Sequence, residues 1–433
     1  MVLVDNELRK REESGNPVRV ALVGAGAMGK GIANQIINYT PGVCLVAIAS
    51  RTIKSAKEAY KKCGIENAKE ATSLNDLEDC IQNNTPAITS DAFLVCQSEN
   101  IDLILEAVGL VEFGIELALK AFENGKDLLT MNAEMDATVG LAIKERAQKA
   151  GVVYSVADGD QPGVQMTLFR QVRTYGLTPL VCGNIKGLQD KRRTPETQAA
   201  FAKKWNQDPY MVTSFADGTK ISFEQACVAN ATGMKVEMRG MRGGDFEGHI
   251  DELCHNNRYD LERINKLGGV VDYVVKSRPA PGVFVFGAVQ NDDFEQRHHL
   301  NLYKLGEGPL YSFYIPYHLC IFEAASSIGR VACFKDSVLK ASTFNVDVIS
   351  LAKKSLKAGE TLDALGGFAT YGECENYNIS KSQNLLPIGA AQGCRLKNDI
   401  PEDQAITYDD VILPKDRLVD QLRQEQEQIL SQI

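Results

Sequence analysis

From Val18 to Ala157 the apolar residues come in short β-rich runs, "VRVALVG", "VCLVAIAS", "IDLILEAVG", "DLLTMN" and "VVYSVA". Between them lie stretches such as "MGKGIANQIIN" and "VEFGIELALKAFENGK", whose apolar positions recur at helical spacing. Strands alternating with helices predict a parallel sheet covered on both faces, so residues 1–157 are expected to form a doubly wound α/β domain. After Asp158 the alternation weakens. A polar stretch, "KGLQDKRRTPETQAAFAKKWNQDP", precedes the strand-like "GGVVDYVV" and "GVFVFGAV". This predicts a mixed α+β substrate and dimerisation domain over 158–335, with a helix from about Pro316 to Ser327 returning to the core. From about Val346 the chain reads as short strands and turns, a small β-rich module over 336–433. It ends in "LVDQLRQEQEQILSQI", which has the spacing of an amphipathic helix.

The chain has 433 residues, a formal net charge of -9 and 44% hydrophobic residues. A surface of that sign is repelled by DNA backbone and by anionic membrane, so the expected partner is a small molecule rather than a nucleic acid or a membrane. Eleven cysteines are scattered without a C-x-x-C, and none stands in zinc-ligand spacing beside the five histidines. The reading is reduced thiols in a cytoplasmic protein. The segment Met1 to Asn16 is charged and lacks the apolar core of a secretory signal.

"GAGAMG" places Gly24, Gly26 and Gly29 in the G-x-G-x-x-G spacing directly after a predicted strand, with Ala27 and Met28 opening a helix. Such glycines allow a tight turn, close approach of backbone to a pyrophosphate, and close packing of helix on strand, the fingerprint of a Rossmann dinucleotide site. An NAD site would carry an acidic residue after the second strand. This chain has Ser50 and Arg51, which suit a ribose 2′-phosphate, so NADP is the expected cofactor. "EAVG", with Ala107 and Gly109, and "MNAEMD", with Asn132, are expected to border the nicotinamide from the C-terminal ends of later strands.

Four polar clusters are candidates for the chemistry. Glu134 in "MNAEMDATVG" and Asp160 in "VADGDQPG" are carboxylates able to position a proton or hold a divalent metal, Mg or Mn. Lys186, Lys191, Arg192 and Arg193 form a basic run suited to a substrate phosphate, whose other reading is a solvated loop. In "SFADGTKISFEQACVANATG", Lys220 and Asp217 are catalytic candidates. Lys220 would donate a proton to a carbonyl oxygen, with Glu224 and Asn230 on the same buried side. His318 reads as a packed core histidine.

On "GAGAMGKG", "MNAEMDATVG", "YSVADGDQPG", "SFADGTK", "ANATG", "VVDYV", "PGVFV", "PYHL", "KKSLKAGETL" and "LLPIG", nearly the whole chain resembles homoserine-dehydrogenase-like oxidoreductases that carry a C-terminal SAF module. That family includes deoxyxylulose-phosphate-reductoisomerase-like enzymes. The resemblance implies a homodimer that uses NADP, with or without a divalent metal, on a small phosphorylated or polyhydroxy carbonyl compound such as a phosphorylated sugar. It implies a role in isoprenoid precursor synthesis if deoxyxylulose phosphate is that substrate. The competing readings are a homoserine-dehydrogenase-like or carbohydrate-acid oxidoreductase, and an NADP-binding sensor without turnover.

Overall fold

The apolar runs of the first 157 residues become strands β1 (Val18–Val23), β2 (Val43–Ala49), β3 (Lys69–Glu70), β4 (Ala87–Thr89), β5 (Leu103–Glu106), β6 (Asp127–Thr130) and β7 (Tyr154–Val156). The computed structural model describes residues 2–432, with Met1 and Ile433 outside the described residues. All seven strands pair in parallel in the order β3-β4-β2-β1-β5-β6-β7. This is the doubly wound, Rossmann-like sheet that the alternation predicts. Winding reverses between β1 and β5, so the C-terminal ends of these two strands flank the crevice in which such sheets take ligands.

Contacts divide the chain into two compact units, each assembled from separated segments rather than from three consecutive blocks. The first holds Met1–Asp160, Leu319–Lys340 and Leu418–Ile433. The helix expected near Pro316 forms at Cys320–Phe334 and does return to this core. Ala324, Ile328 and Val331 join Ile32, Ile36 and the inward residues of β1, β2 and β5 in one apolar cluster. The charged lead conceals a further element. Val2–Glu13 is a helix whose Val4 and Leu8, four residues apart, are buried in that cluster. Gly329 lets it approach, for a Cβ there would stand 2.4 Å from Val4 Cγ1.

The terminal helix Leu418–Leu430 packs on the helix Ala133–Ala150, which is buried along most of its length. Arg146 pairs with Glu425 at 2.6 Å, and Gln426 Oε1 accepts from the Leu141 N–H. The Glu112 carboxylate accepts from the Leu418 and Val419 N–H groups, an anion at a helix N-terminus.

The second unit holds Gln161–His318 and Ala341–Arg417. Its strands β8 (Leu177–Lys186), β9 (Val270–Val275), β10 (Gly282–Val289) and β11 (Leu310–Ile315) form a mixed sheet in the order β11-β10-β8-β9. Val181, Ile185, Phe284 and Phe286 pack with Ile250, Leu253 and Ile264 in a second apolar cluster. The helices Gln161–Thr174 and Thr219–Thr232 also pack on this sheet and on each other. Thr219–Thr232 is buried from Thr219 through Asn230.

The expected C-terminal module is not separate. Strands β12 (Val346–Ala352) and β13 (Thr370–Asn376) pair antiparallel and pack against the Thr219–Thr232 helix, and the short antiparallel pair β14 (Arg395–Leu396) and β15 (Val411–Ile412) follows. After β12, Lys353 enters the interior of the unit. Its Nζ donates to Asp217 Oδ2 at 2.8 Å, the Arg193 carbonyl at 2.8 Å and the Gly367 carbonyl at 2.7 Å, with side chains 3% and 0% exposed for Lys353 and Asp217. No described helix is long and apolar enough to cross a membrane.

Removing one member of such a pair leaves the other charge buried and alone, at about 3–5 kcal/mol. Lys353→Met is therefore expected to lower unfolding free energy by about that amount in urea denaturation, and a change under about 1 kcal/mol would remove this pair from its structural role.

Candidate functional site

In the first unit the glycine turn has the geometry its spacing predicts. Gly24 has φ +109°, and a Cβ there would stand 2.8 Å from the Ala107 carbonyl oxygen, the point where β1 and β5 diverge. A Cβ on Gly29 would stand 2.1 Å from the Gly24 carbonyl oxygen, so the helix Ala27–Tyr39 sits hard against the turn. Gly26, its N-cap, would meet nothing within 4 Å, which leaves its backbone open to a phosphate at the helix start, beside Ala27 and Met28. These features fit a dinucleotide pyrophosphate.

The loop after β5 is held by Glu106. Its buried carboxylate accepts from the Val108 N–H at 2.7 Å, the Gly109 N–H at 3.2 Å and the Thr130 hydroxyl. Burial pushes this carboxyl above the usual carboxylate range, and the neighbouring Glu134 adds to the effect, against the pull of those hydrogen bonds. At the end of β2, the Ser50 N–H donates to the Thr89 carbonyl and Arg51 stands exposed, with no acidic residue at either position.

Asn132 is accounted for differently from the expectation. It is fully buried, its Oδ1 caps the helix Ala133–Ala150 through the Met135 N–H, and its Nδ2 donates to the Leu110 carbonyl. Both ends of this side chain thus bind the protein, and it positions the loop rather than offering itself to a nicotinamide.

Glu134 lies buried in the first turn of that helix, where Asp136 accepts from the Tyr154 hydroxyl at 2.9 Å. Asp158 caps the Gly159 N–H and faces Arg330 at 3.9 Å, and Asp160 is half-buried at the end of the same loop. Among the described residues no group of three or more His, Cys, Asp or Glu side chains is placed to hold a metal ion.

In the second unit the structure groups Lys186 and Lys220 with Glu224. Lys186 ends β8, and Lys220 and Glu224 lie one turn apart on the buried Thr219–Thr232 helix. Burial holds the Lys186 amine below the usual lysine range. Glu224 opposes this, Lys220 reinforces it, and Asp217 opposes it more weakly. His318, which the sequence reads as a packed core histidine, is driven down to about 4 by burial and the Lys186 charge, so that it is neutral at neutral pH.

Other expected contacts belong to the scaffold. Asp217 is locked by Lys353 and also caps the Thr219 N–H. Asn230 Oδ1 accepts from the Asn345 and Val346 N–H groups while its Nδ2 donates to the Val346 carbonyl, which fixes the entry to β12. The basic run is paired with acids: Lys191 with Asp403, Arg192 with Glu402 and Asp403, and Arg193 with Asp190. It ties the loop after β8 to the 402–403 turn, so its charge is already balanced within the protein.

Four residues that sequence reasoning passed over are the wholly buried carboxamides Gln161, Gln165, Asn184 and Gln225. Neither polar atom of any of the four has a hydrogen-bond partner. A buried polar atom left without a partner costs about 1–3 kcal/mol, so eight would cost roughly 8–24 kcal/mol. That matches or exceeds the about 5–15 kcal/mol that hold a typical domain together. Gln161 and Gln165 lie four apart on one helix face, and alternation puts Asn184 and Lys186 on one face of β8. The signal was available as polar residues at helical and strand periods inside otherwise buried elements.

Residues 159–324 match the family model "Oxidoreductase DRL, catalytic domain", and residues 7–101 match "Shikimate / quinate 5-dehydrogenase". A homoserine dehydrogenase of Pseudomonas aeruginosa is 32% identical over 141 residues, which is 32% of this chain and 28% of that protein. One from Corynebacterium glutamicum is 23% identical over 139 residues, with the same two shares. The chain thus spans little more than a quarter of the curated relatives it matches. Among solved structures, the "probable dehydrogenase" from Thermotoga maritima aligns with TM-score 0.39 and 13% identity, over 74% of this chain and 88% of that one.

Gly26→Ala is expected to leave thermal stability within about 0.5 kcal/mol, because the new methyl group meets nothing, while it weakens binding of the nicotinamide dinucleotide, NADH or NADPH, at least about tenfold by blocking the phosphate approach. Fluorescence titration and a melting curve read the two effects, and unchanged affinity would move the pyrophosphate elsewhere.

Proposed function

We propose that the protein is an NADP-dependent oxidoreductase that reduces the carbonyl group of a small polyhydroxylated compound. The observation that carries this reading is the grouping of Lys186, Lys220, Glu224 and a neutral His318, within the segment that matches an oxidoreductase catalytic domain. Gly24, Gly26 and Gly29 would hold the dinucleotide pyrophosphate, and Ser50 with Arg51 the ribose 2′-phosphate. The chemistry that a bound NADPH supplies is a hydride to the carbonyl carbon.

The carbonyl oxygen then needs a proton, and the Lys186 ammonium, made more acidic by burial and by Lys220, is the donor. Lys220, whose charge lowers the Lys186 pKa, would also steady the developing alkoxide. Glu224 sets the Lys186 pKa from the other side, and His318 as a neutral imidazole can donate a hydrogen bond without adding charge. Lys186 thereby takes the proton-donor role that the sequence assigned to Lys220.

Reduction coupled to isomerisation of deoxyxylulose phosphate is the narrower reading. It would need cations free for a phosphate and carboxylates for a metal. The Lys191 to Arg193 run is ion-paired within the protein, which favours carbonyl reduction without it. Homoserine as substrate rests on matches that reach 28% of the relatives' length. A sensor without turnover has no use for a lysine of lowered pKa.

NADPH oxidation over a panel of polyhydroxy ketones and aldehydes tests this reading, with deoxyxylulose phosphate included with and without manganese. Wild type is expected to prefer NADPH to NADH, and Arg51→Ala to reduce that preference about 10- to 100-fold through loss of charge-assisted bonds. Equal use of both nucleotides by wild type would sink the NADP assignment.

A protonated donor is lost as pH rises through its pKa, so kcat should fall on an alkaline limb that lies below the ordinary lysine value of 10.5. Glu224→Gln should move that limb down in pH and Lys220→Met should move it up; a limb that ignores both changes would remove Lys186 from the proton step.

A further inference from the structure

We propose that Gln161, Gln165, Asn184 and Gln225 form a hydroxyl-reading subsite in the second unit that recognises a chain or ring carrying several adjacent hydroxyl groups. The inference rests on the carbonyl-reductase reading and names the part of the substrate that the lysines do not touch.

Three observations bring together the elements that carry these amides. The helix Gln161–Thr174, strand β8 and the helix Thr219–Thr232 pack on one another, and each contributes at least one of the four. On β8 alternation turns Asn184 the same way as Lys186, while Ile185 between them joins the apolar cluster and Gly183 just before them lies against its Phe284 ring, where a Cβ would come within 2.1 Å of Cζ. On the Thr219–Thr232 helix Gln225 adjoins Glu224, whose charge Lys186 feels. All four side chains are 0% exposed, and none has a hydrogen-bond partner for its oxygen or its nitrogen.

The chemistry of the set selects the ligand. A carboxamide donates through N–H and accepts through its oxygen, so it matches a hydroxyl group, which does both. A phosphate or carboxylate offers only acceptors and would leave four amide oxygens unanswered. An apolar group would leave all eight atoms unanswered. Four neutral amides therefore suit a run of about four hydroxyls, with Lys186 at the end where the carbonyl or an acid group stands. Sites built on buried hydrogen-bonding groups discriminate strongly against analogues that lack the hydroxyl, so these residues set specificity rather than rate.

The test is equilibrium binding by calorimetry to the full chain without nicotinamide nucleotide, using gluconate, hexanoate and sorbitol as unreactive probes. Gluconate is expected to bind at least about tenfold more tightly than hexanoate, which has the same carbon count and charge but no hydroxyls, with measurable binding of sorbitol. Gln165→Met and Asn184→Leu keep approximate shape and remove the polar atoms. Each should weaken gluconate about tenfold, leave hexanoate unchanged, and leave the ligand-free melting temperature equal or higher.

Equal affinity of wild type for gluconate and hexanoate would overturn the subsite. So would variants that melt lower yet bind gluconate normally, because the amides would then belong to the fold. If Asn184→Leu does not fold, Gln161→Met and Gln225→Met carry the same comparison. A protein that binds gluconate but oxidises no NADPH with any carbonyl compound would refute the hydride assignment and leave this subsite standing.

Discussion

A helix with no solvent-facing side obliges every polar group on it to find a partner inside the protein, and Thr219–Thr232 is such a helix. Most of the second unit can be understood as the answer to that constraint. The Gly372 N–H donates to Thr219 Oγ1, Ser222 donates to the Gly218 and Gly372 carbonyls, and Asn230 clamps the start of β12. Lys353 crosses from the C-terminal segment to neutralise Asp217 just before the helix begins. The strands that looked like an independent module are thus the far wall of a core built around this helix. The same helix also carries Lys220 and Glu224, which act on the Lys186 amine, and Gln225, whose carboxamide has no hydrogen-bond partner.

The first unit obeys a different constraint, the reversal of strand order between β1 and β5. Two backbones leave the sheet side by side there, and Gly24 is tolerated because any Cβ would strike Ala107. Glu106, the last residue of β5, bends the neighbouring loop by accepting from two successive N–H groups and the Thr130 hydroxyl. A buried carboxylate with three donors fixes the loop's shape, which makes the crevice preorganised rather than formed on binding.

The doubly wound sheet, the glycine turn and the terminal amphipathic helix were legible because each depends on local periodicity or on a short motif whose context is adjacent in sequence. The helix Val2–Glu13 was not, since only Val4 and Leu8 among charged neighbours mark its buried side. The site was legible only in part. Lys186, Lys220 and Glu224 could be named as chemistry-bearing residues, but whether Arg192 meets a phosphate or Asp403 depends on a residue 211 positions away. Asn132 and Asn230 resemble ligand-binding residues in sequence for the same reason that they work as clamps: a carboxamide can both donate and accept. His318 could be read only as a core histidine because the neighbour that acts on it, Lys186, lies far back in the chain.

The two units draw their segments alternately, and the chain passes from one to the other four times, the fourth bringing the helix Leu418–Leu430 into the first unit. During synthesis the seven-stranded sheet therefore emerges first but keeps an uncovered helix face until the second unit has been made and the Leu418–Leu430 helix follows. Arg146, Leu141 and the Glu112 carboxylate wait for partners more than 270 residues downstream. Closure of this half is in this sense a late event, because it waits for a segment that follows nearly the whole of the second unit.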